Sequence, residues 1–204
     1  MLRRLVLLAC PLAAACAASP ETPDDLPGTP EPPFAVSAYF APSGFMGDGS
    51  DGVSLIADVD PDTCASRPDG ARGDCYRFTY TPSTQLWAGV YWQFPPNNWG
   101  AQEGKQIEPG ATKVAFYASS ATGGETLKVT IGGIRDITLP FSDSIKAEGS
   151  FTLTTEMQRF EVDLGGAAYD RVIGGFSWTT SYPEGTNPST AAPTVVFLDD
   201  VVWE

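Results

Sequence analysis

From Phe34 onward the apolar positions either alternate with polar ones or gather into short unbroken runs. No stretch carries the 3.6-residue period of an amphipathic helix. The pattern predicts strands over Ala35–Phe40, Val53–Asp58, Cys75–Thr81, Leu86–Phe94, Lys113–Ser119, Thr126–Ile131, Ser150–Thr154, Gln158–Leu164, Val172–Thr179 and Thr194–Trp203. Gly, Pro, Asn and Asp punctuate the intervals between them, as in an all-β sandwich. Two stacked antiparallel sheets, in a jelly-roll arrangement, are the expected architecture. Lys128–Ile131 and Arg159–Leu164 alternate cleanly, so each has one wet face. Thr194–Val202 is apolar on both sides until Asp199-Asp200, which predicts a central strand.

The most informative stretch is Leu86 to Gly100, LWAGVYWQFPPNNWG, with three of the five tryptophans. Its strand sends Ala88, Val90, Trp92 and Phe94 to one face, expected to be buried, and Trp87, Gly89, Tyr91 and Gln93 to the other. Pro95-Pro96-Asn97-Asn98 then forces a loop. An indole and two amides on such a loop suit a pyranose, whose C–H face stacks on a ring and whose hydroxyls need hydrogen-bond partners. The candidate ligand residues are therefore Tyr91, Gln93, Asn97, Asn98 and Trp99. Trp178 is a second candidate platform, and core is the competing reading for all of these aromatics.

The N-terminus adds an address. Arg3 and Arg4 precede an apolar run from Leu5 to Ala15, too short to span a bilayer. Leu12-Ala13-Ala14-Ala15-Cys16 resembles the lipobox of bacterial lipoproteins, which implies acylation of Cys16 and removal of residues 1–15 as a signal peptide. Cys10 is a competing site, and a secretory signal cleaved near Ala18 is the alternative. With Ala17 and Ala18 after the cysteine, the resemblance implies an outer-membrane location, with membrane contact through the lipid alone. Residues 16–33 are rich in Pro, Glu, Asp, Thr and Ser and read as a disordered, extended tether. Residues 34–204 form the domain. Cys64 and Cys75 enclose a ten-residue polar loop and read as a disulfide in an exported chain.

Formal net charge is −13 over 204 residues, with no histidine. Phosphate backbones repel such a chain, so nucleic acid is excluded as a partner. Two acidic clusters fit calcium, which takes six to eight oxygens. One is Asp48 and Asp51 on a glycine-rich loop, with Asp58, Asp60 and Asp62 beyond. The other is Asp199-Asp200, where one carboxylate is expected to face inward and to need a cation or several donors.

The ending Val196 to Glu204, VFLDDVVWE, resembles the last strand of carbohydrate-binding modules with a galactose-binding-like jelly roll. Gly44–Asp48, Trp87–Gln93, Asn97–Gly100, Lys128–Gly133 and Ile173–Trp178 are similar to segments of such domains in exported bacterial proteins. The resemblance implies polysaccharide binding without catalysis. It also implies a structural Ca2+ on Asp199, with Asp48 or Asp51 as partners. A structural or protein-interaction lipoprotein is the alternative. A cryptic glycosidase would need two opposed carboxylates. Glu161 and Asp163 share a strand face, but that face reads as solvated, and no Gly-x-Ser-x-Gly elbow is present.

Overall fold

A computed structural model describes residues 28–59, 67 and 69–204 of the chain. The predicted signal peptide, most of the tether, Cys16 and Cys64 lie outside the described residues. In chain order the strands are β1 (Phe34–Ala35), β2 (Ala41–Gly47), β3 (Leu55–Asp58), β4 (Tyr76–Tyr80), β5 (Trp87–Gln93), β6 (Lys105–Gln106) and β7 (Lys113–Ser120). There follow β8 (Thr126–Gly132), β9 (Lys146–Thr152), β10 (Gln158–Asp163), β11 (Arg171–Val172), β12 (Gly174–Ser181) and β13 (Thr194–Trp203). One sheet runs β10-β7-β13-β4-β3, with β1 added alongside β13. The other runs β2-β5-β12-β8-β9, and β6 and β11 form a small pair. The pairings are antiparallel, as expected for a jelly-roll β-sandwich.

Most predicted strands are present, and Thr194–Trp203 is central to its sheet. Three differ. Ala35–Phe40 is largely a 3-10 turn (Val36–Ala38) instead of a strand. The strand lies one step later, as β2, whose Pro42, Gly44 and Gly47 hide it from a propensity reading. It is tolerated because β2 is an edge, where a missing N–H breaks no ladder. Strand β9 begins at Lys146, ahead of the predicted Ser150; its inward Ala147 and Gly149 are weak strand formers. The predicted Val172–Thr179 divides into β11 and β12, with a bulge between Gly174 and Phe176.

The two inner faces meet in an aromatic cluster. Trp92 of β5 lies edge-on to Tyr76 (5.1 Å) and Phe78 (5.8 Å) of the opposite sheet and to Phe176 (5.4 Å) beside it. Phe78 in turn meets Trp178 at 4.9 Å, so Trp178 is core and not a ligand platform. Such ring pairs add stabilisation beyond their buried area.

The chain joins this body before β1. Pro30 is buried and its carbonyl accepts the N–H of Glu108 at 3.0 Å.

Trp92→Ala is expected to remove about 3–5 kcal/mol of stability. Thermal unfolding should show a drop of roughly 10 °C.

Candidate functional site

Strand β5 carries the site because its two faces do different work. Its inward residues Ala88, Val90 and Trp92 are buried. Its outward row is Trp87, Gly89, Tyr91 and Gln93, as the alternation predicts. Cross-strand register extends that row over the sheet. Gly89 lies opposite Met46 and Thr179, Thr179 opposite Lys128, and Lys128 opposite Ser150. Tyr91 lies opposite Gly44 and Ser177, Ser177 opposite Thr130, and Thr130 opposite Glu148. Beside these aromatic residues the outward rows hold Gly89 and Ser177, both buried, and Thr179 and Thr130, both half-buried, all small. By side-chain size alone, this strip of small residues flanked by Trp87, Tyr91 and Lys128 is the low strip of the outer face, hereafter the trough. Trp87 and Tyr91, four residues apart, stand about 13 Å apart along β5.

Both rings pack close over glycines. A Cβ on Gly174 would come within 2.9 Å of the Tyr91 ring, and one on Gly47 within 2.7 Å of the Trp87 ring. Neither position leaves room for a Cβ, so each ring packs closely over its glycine. The Tyr91 hydroxyl donates to the Gly132 carbonyl at 3.2 Å, and burial pushes its pKa up. Trp99 meets Tyr91 at right angles, with centroids 5.8 Å apart and an interplanar angle of 84°. Trp99 is 39% exposed.

The amides are placed otherwise than the sequence suggested. Gln93 is 0% exposed; its Nε2 donates to the Asn98 carbonyl at 2.9 Å and its Oε1 accepts from Ser43 Oγ at 3.1 Å. Asn98 is 1% exposed. Its Nδ2 donates to the carbonyls of Phe94 (3.1 Å) and Gln102 (2.8 Å), and its Oδ1 accepts the N–H groups of Gly100 (3.0 Å) and Gln102 (3.1 Å). Both amides hold the loop and are spent on it, because buried polar groups must be satisfied. Asn97 is exposed, in the left-handed region (φ 61°), with its N–H on Ser43 Oγ at 2.8 Å. Of the five predicted ligand residues, Tyr91, Asn97 and Trp99 remain accessible, and Gln93 and Asn98 are structural. Beside this loop a cleft of about 280 Å³ is lined by Tyr39, Phe40, Pro42, Phe94, Pro96 and Asp74.

A second brace comes from the β8–β9 connection. Gly100 accepts the N–H of Phe141 at 3.1 Å, so this connection supports the Trp99 loop. It is pinned by Asp143, which is buried and takes the N–H groups of Ile134 (2.6 Å), Gly174 (3.2 Å) and Ile173. Burial pushes its carboxyl up to about 6 against the pull of those donors. Nothing local in the sequence marks Asp143, since two of its three donors, Ile173 and Gly174, come from a distant segment.

The proposed calcium set does not assemble. Asp199, 0% exposed, is gripped by Arg67 through two hydrogen bonds of 2.8 Å, and it also takes the N–H of Asp200 at 2.7 Å. The expected inward carboxylate and its cation are both present, but the cation is a guanidinium. Asp48 accepts from Tyr80 Oη (2.7 Å) and the N–H groups of Ser83 (2.8 Å), Gln85 (2.8 Å) and Leu86 (3.1 Å). Burial raises its pKa, and these four donors outweigh burial, so it is held below the usual carboxylate range. Asp51 caps its own turn through Val53 and Ser54. Tyr80, which binds Asp48, pairs with Thr194, and Tyr76 pairs with Leu198 next to Asp199, so the two carboxylates lie toward opposite ends of β4, whose Tyr76 and Tyr80 are about 13 Å apart. Among the described residues no three His, Cys, Asp or Glu side chains gather to hold a metal.

Sequence reasoning missed the trough itself and the charges at its far end. Lys128 and Lys146 share Glu148 at 3.5 Å and 3.1 Å. The clean alternation of Lys128–Ile131 carried that signal, as it marked an outward row without saying which row it would join.

No protein-family model matches the chain, and no curated protein sequence matches it. Its architecture is similar to that of solved carbohydrate-binding modules. A family 30 carbohydrate-binding module matches at 15% identity over 85% of this chain and 94% of its own, with a TM-score of 0.49. The family 30 module of the cellulosomal cellulase CEL9D-CEL44B of Clostridium thermocellum matches at 14% identity over 85% and 92%, with a TM-score of 0.46. TmCBM61 in complex with β-1,4-galactotriose matches at 13% identity over 80% and 88%, with a TM-score of 0.43.

Asn98→Ala is expected to lower stability by about 1–3 kcal/mol, because it strands buried backbone donors and acceptors. Trp99→Ala should stay within about 1 kcal/mol of wild type in the same denaturant titration. The Asp143 pKa is raised above its ordinary 3.8, so the native state holds the extra proton between about pH 4 and 6. Stability from this group is full below pH 4 and lost as pH rises through 6, by about 3 kcal/mol. Unfolding curves of Asp143→Asn should lack that component when compared with wild type across the window.

Proposed function

We propose that this chain is a non-catalytic glycan-binding protein that takes a polysaccharide segment in the trough on the outer face of the β2-β5-β12-β8-β9 sheet. The observation that carries this reading is the right-angled pair of Tyr91 and Trp99. Two accessible rings at right angles suit a pyranose, which offers one apolar face and a hydroxylated rim. Trp87 supplies a second platform along the same strand. Thr130, Thr179 and Asn97 are the accessible polar side chains beside these rings. The trough is open across the strands, which suits an internal stretch of a chain better than a chain end.

The absence of paired acids in the trough supports a binding role. A glycosidase sets two carboxylates across the scissile bond, one with its pKa raised to donate a proton. The trough strands carry one carboxylate, Glu148, and Lys146 and Lys128 hold its pKa below the ordinary value. On the opposite sheet Glu161 is bound by Lys113 at 2.7 Å and by Arg159, so it is not poised as an acid either.

In the same proposal Cys16 carries the lipid, the Pro-rich segment holds the domain off the outer membrane, and Cys64 pairs with Cys75. The support for these is the sequence: the lipobox-like Leu12–Cys16, the composition of residues 16–33 and the short spacing of the two cysteines.

Affinity electrophoresis of residues 28–204 on a polysaccharide panel tests the binding reading. Tyr91→Ala and Trp99→Ala are each expected to weaken retention about tenfold, the worth of one good stacking contact. Retention that neither substitution changes would remove this site.

A further inference from the structure

The charge on the trough sheet is opposite in sign to that of the chain. The five strands β2, β5, β12, β8 and β9 carry three charged residues, Lys128, Lys146 and Glu148, a surplus of one positive charge. The whole chain stands at −13. Both lysines are more than half exposed, and a single oxygen of Glu148 serves them both. Lys128 lies two strands from Gly89, about 10 Å across the trough from β5. A ligand lying on Tyr91 and crossing Thr179 or Thr130 arrives at this ammonium pair.

We infer that the trough recognises a glycan whose largely neutral backbone bears isolated carboxylates, such as uronic acid branches, with one carboxylate received by Lys128 and Lys146. This rests on the glycan-binding reading above. Two features restrict the class. The strands β2, β5 and β12 present no charge, so the sugars lying there are neutral. The strongly acidic chain repels a continuous polyanion, while screening confines the lysine attraction to within about 8 Å at physiological salt. A single carboxylate on a neutral chain meets the local attraction with little of the long-range repulsion.

The test uses pairs of polysaccharides that differ only in charge. Native acidic branched polymers, including glucuronoxylan, are run in affinity electrophoresis against their carboxyl-reduced forms. Wild type should be retained about fivefold more strongly by the native member of at least one pair, the size of one partly exposed ion pair. The ratio should fall toward one in the Lys128→Gln, Lys146→Gln double variant, and also in wild type at 0.5 M salt, a condition of roughly 4 Å screening length. Equal or stronger retention by the reduced members throughout would overturn the inference and leave glycan binding standing. A ratio that survives in the double variant would also overturn it. Retention by neither member of any pair would overturn the glycan-binding reading itself.

Discussion

The structure depends on how Trp92 is wedged between the two sheets. Its indole meets Tyr76 and Phe78 from the opposite layer and Phe176 from its own. A strand has only two faces, so fixing Trp92 inward fixes Trp87, Gly89 and Tyr91 outward. A slip of one residue would put Tyr91 into the core and Trp92 into water. The core contact and the outward row are therefore one constraint seen from two sides. The same register places Thr179, Ser177 and Thr130 next to the rings.

Buried amides and carboxylates do the bracing. Gln93 and Asn98 tie the end of β5 to the Trp99 loop, and Asp143 ties the β8–β9 connection that supports this loop. Asp48 gathers the turn ahead of β5 through four donors. Each is buried and each is satisfied, which is what a low-dielectric interior demands. The consequence for the site is a rigid loop: Trp99 is exposed, but the chain that carries it is held at several points. Preorganisation of this kind reduces the ordering cost of binding.

Charge is distributed unevenly over the two sheets. The sheet with β13 holds Asp199 and Asp200 at a bulge, with Asp200 in the left-handed region at φ 48°. The bulge lets the two neighbours be used separately, Asp199 by Arg67 and Asp200 by the N–H of Arg72 at 2.6 Å. The trough sheet has its few charges at one end and uncharged residues over the aromatic strands. A neutral, partly aromatic surface with a cationic edge is what remains when the acidic residues are placed elsewhere.

The sequence by itself determined the layering. Alternation in β5, β8 and β10, the two-sided apolar run of β13 and the turn residues between them are local signals, and each was legible because side chains in a strand point to opposite faces by geometry alone. It also marked Tyr91 and Trp99, since aromatic residues beside a Pro-Pro-Asn-Asn loop are conspicuous. Only the tertiary structure decided which strands became neighbours, and the trough is made of neighbours: Gly89, Thr179 and Lys128 lie far apart in the chain and form one row through register. It decided the fate of the polar residues as well. Whether Asn98 faces a ligand or its own loop, and whether Asp199 meets an ion or Arg67, depends on which donors arrive from distant segments, and the local pattern contains no information about them.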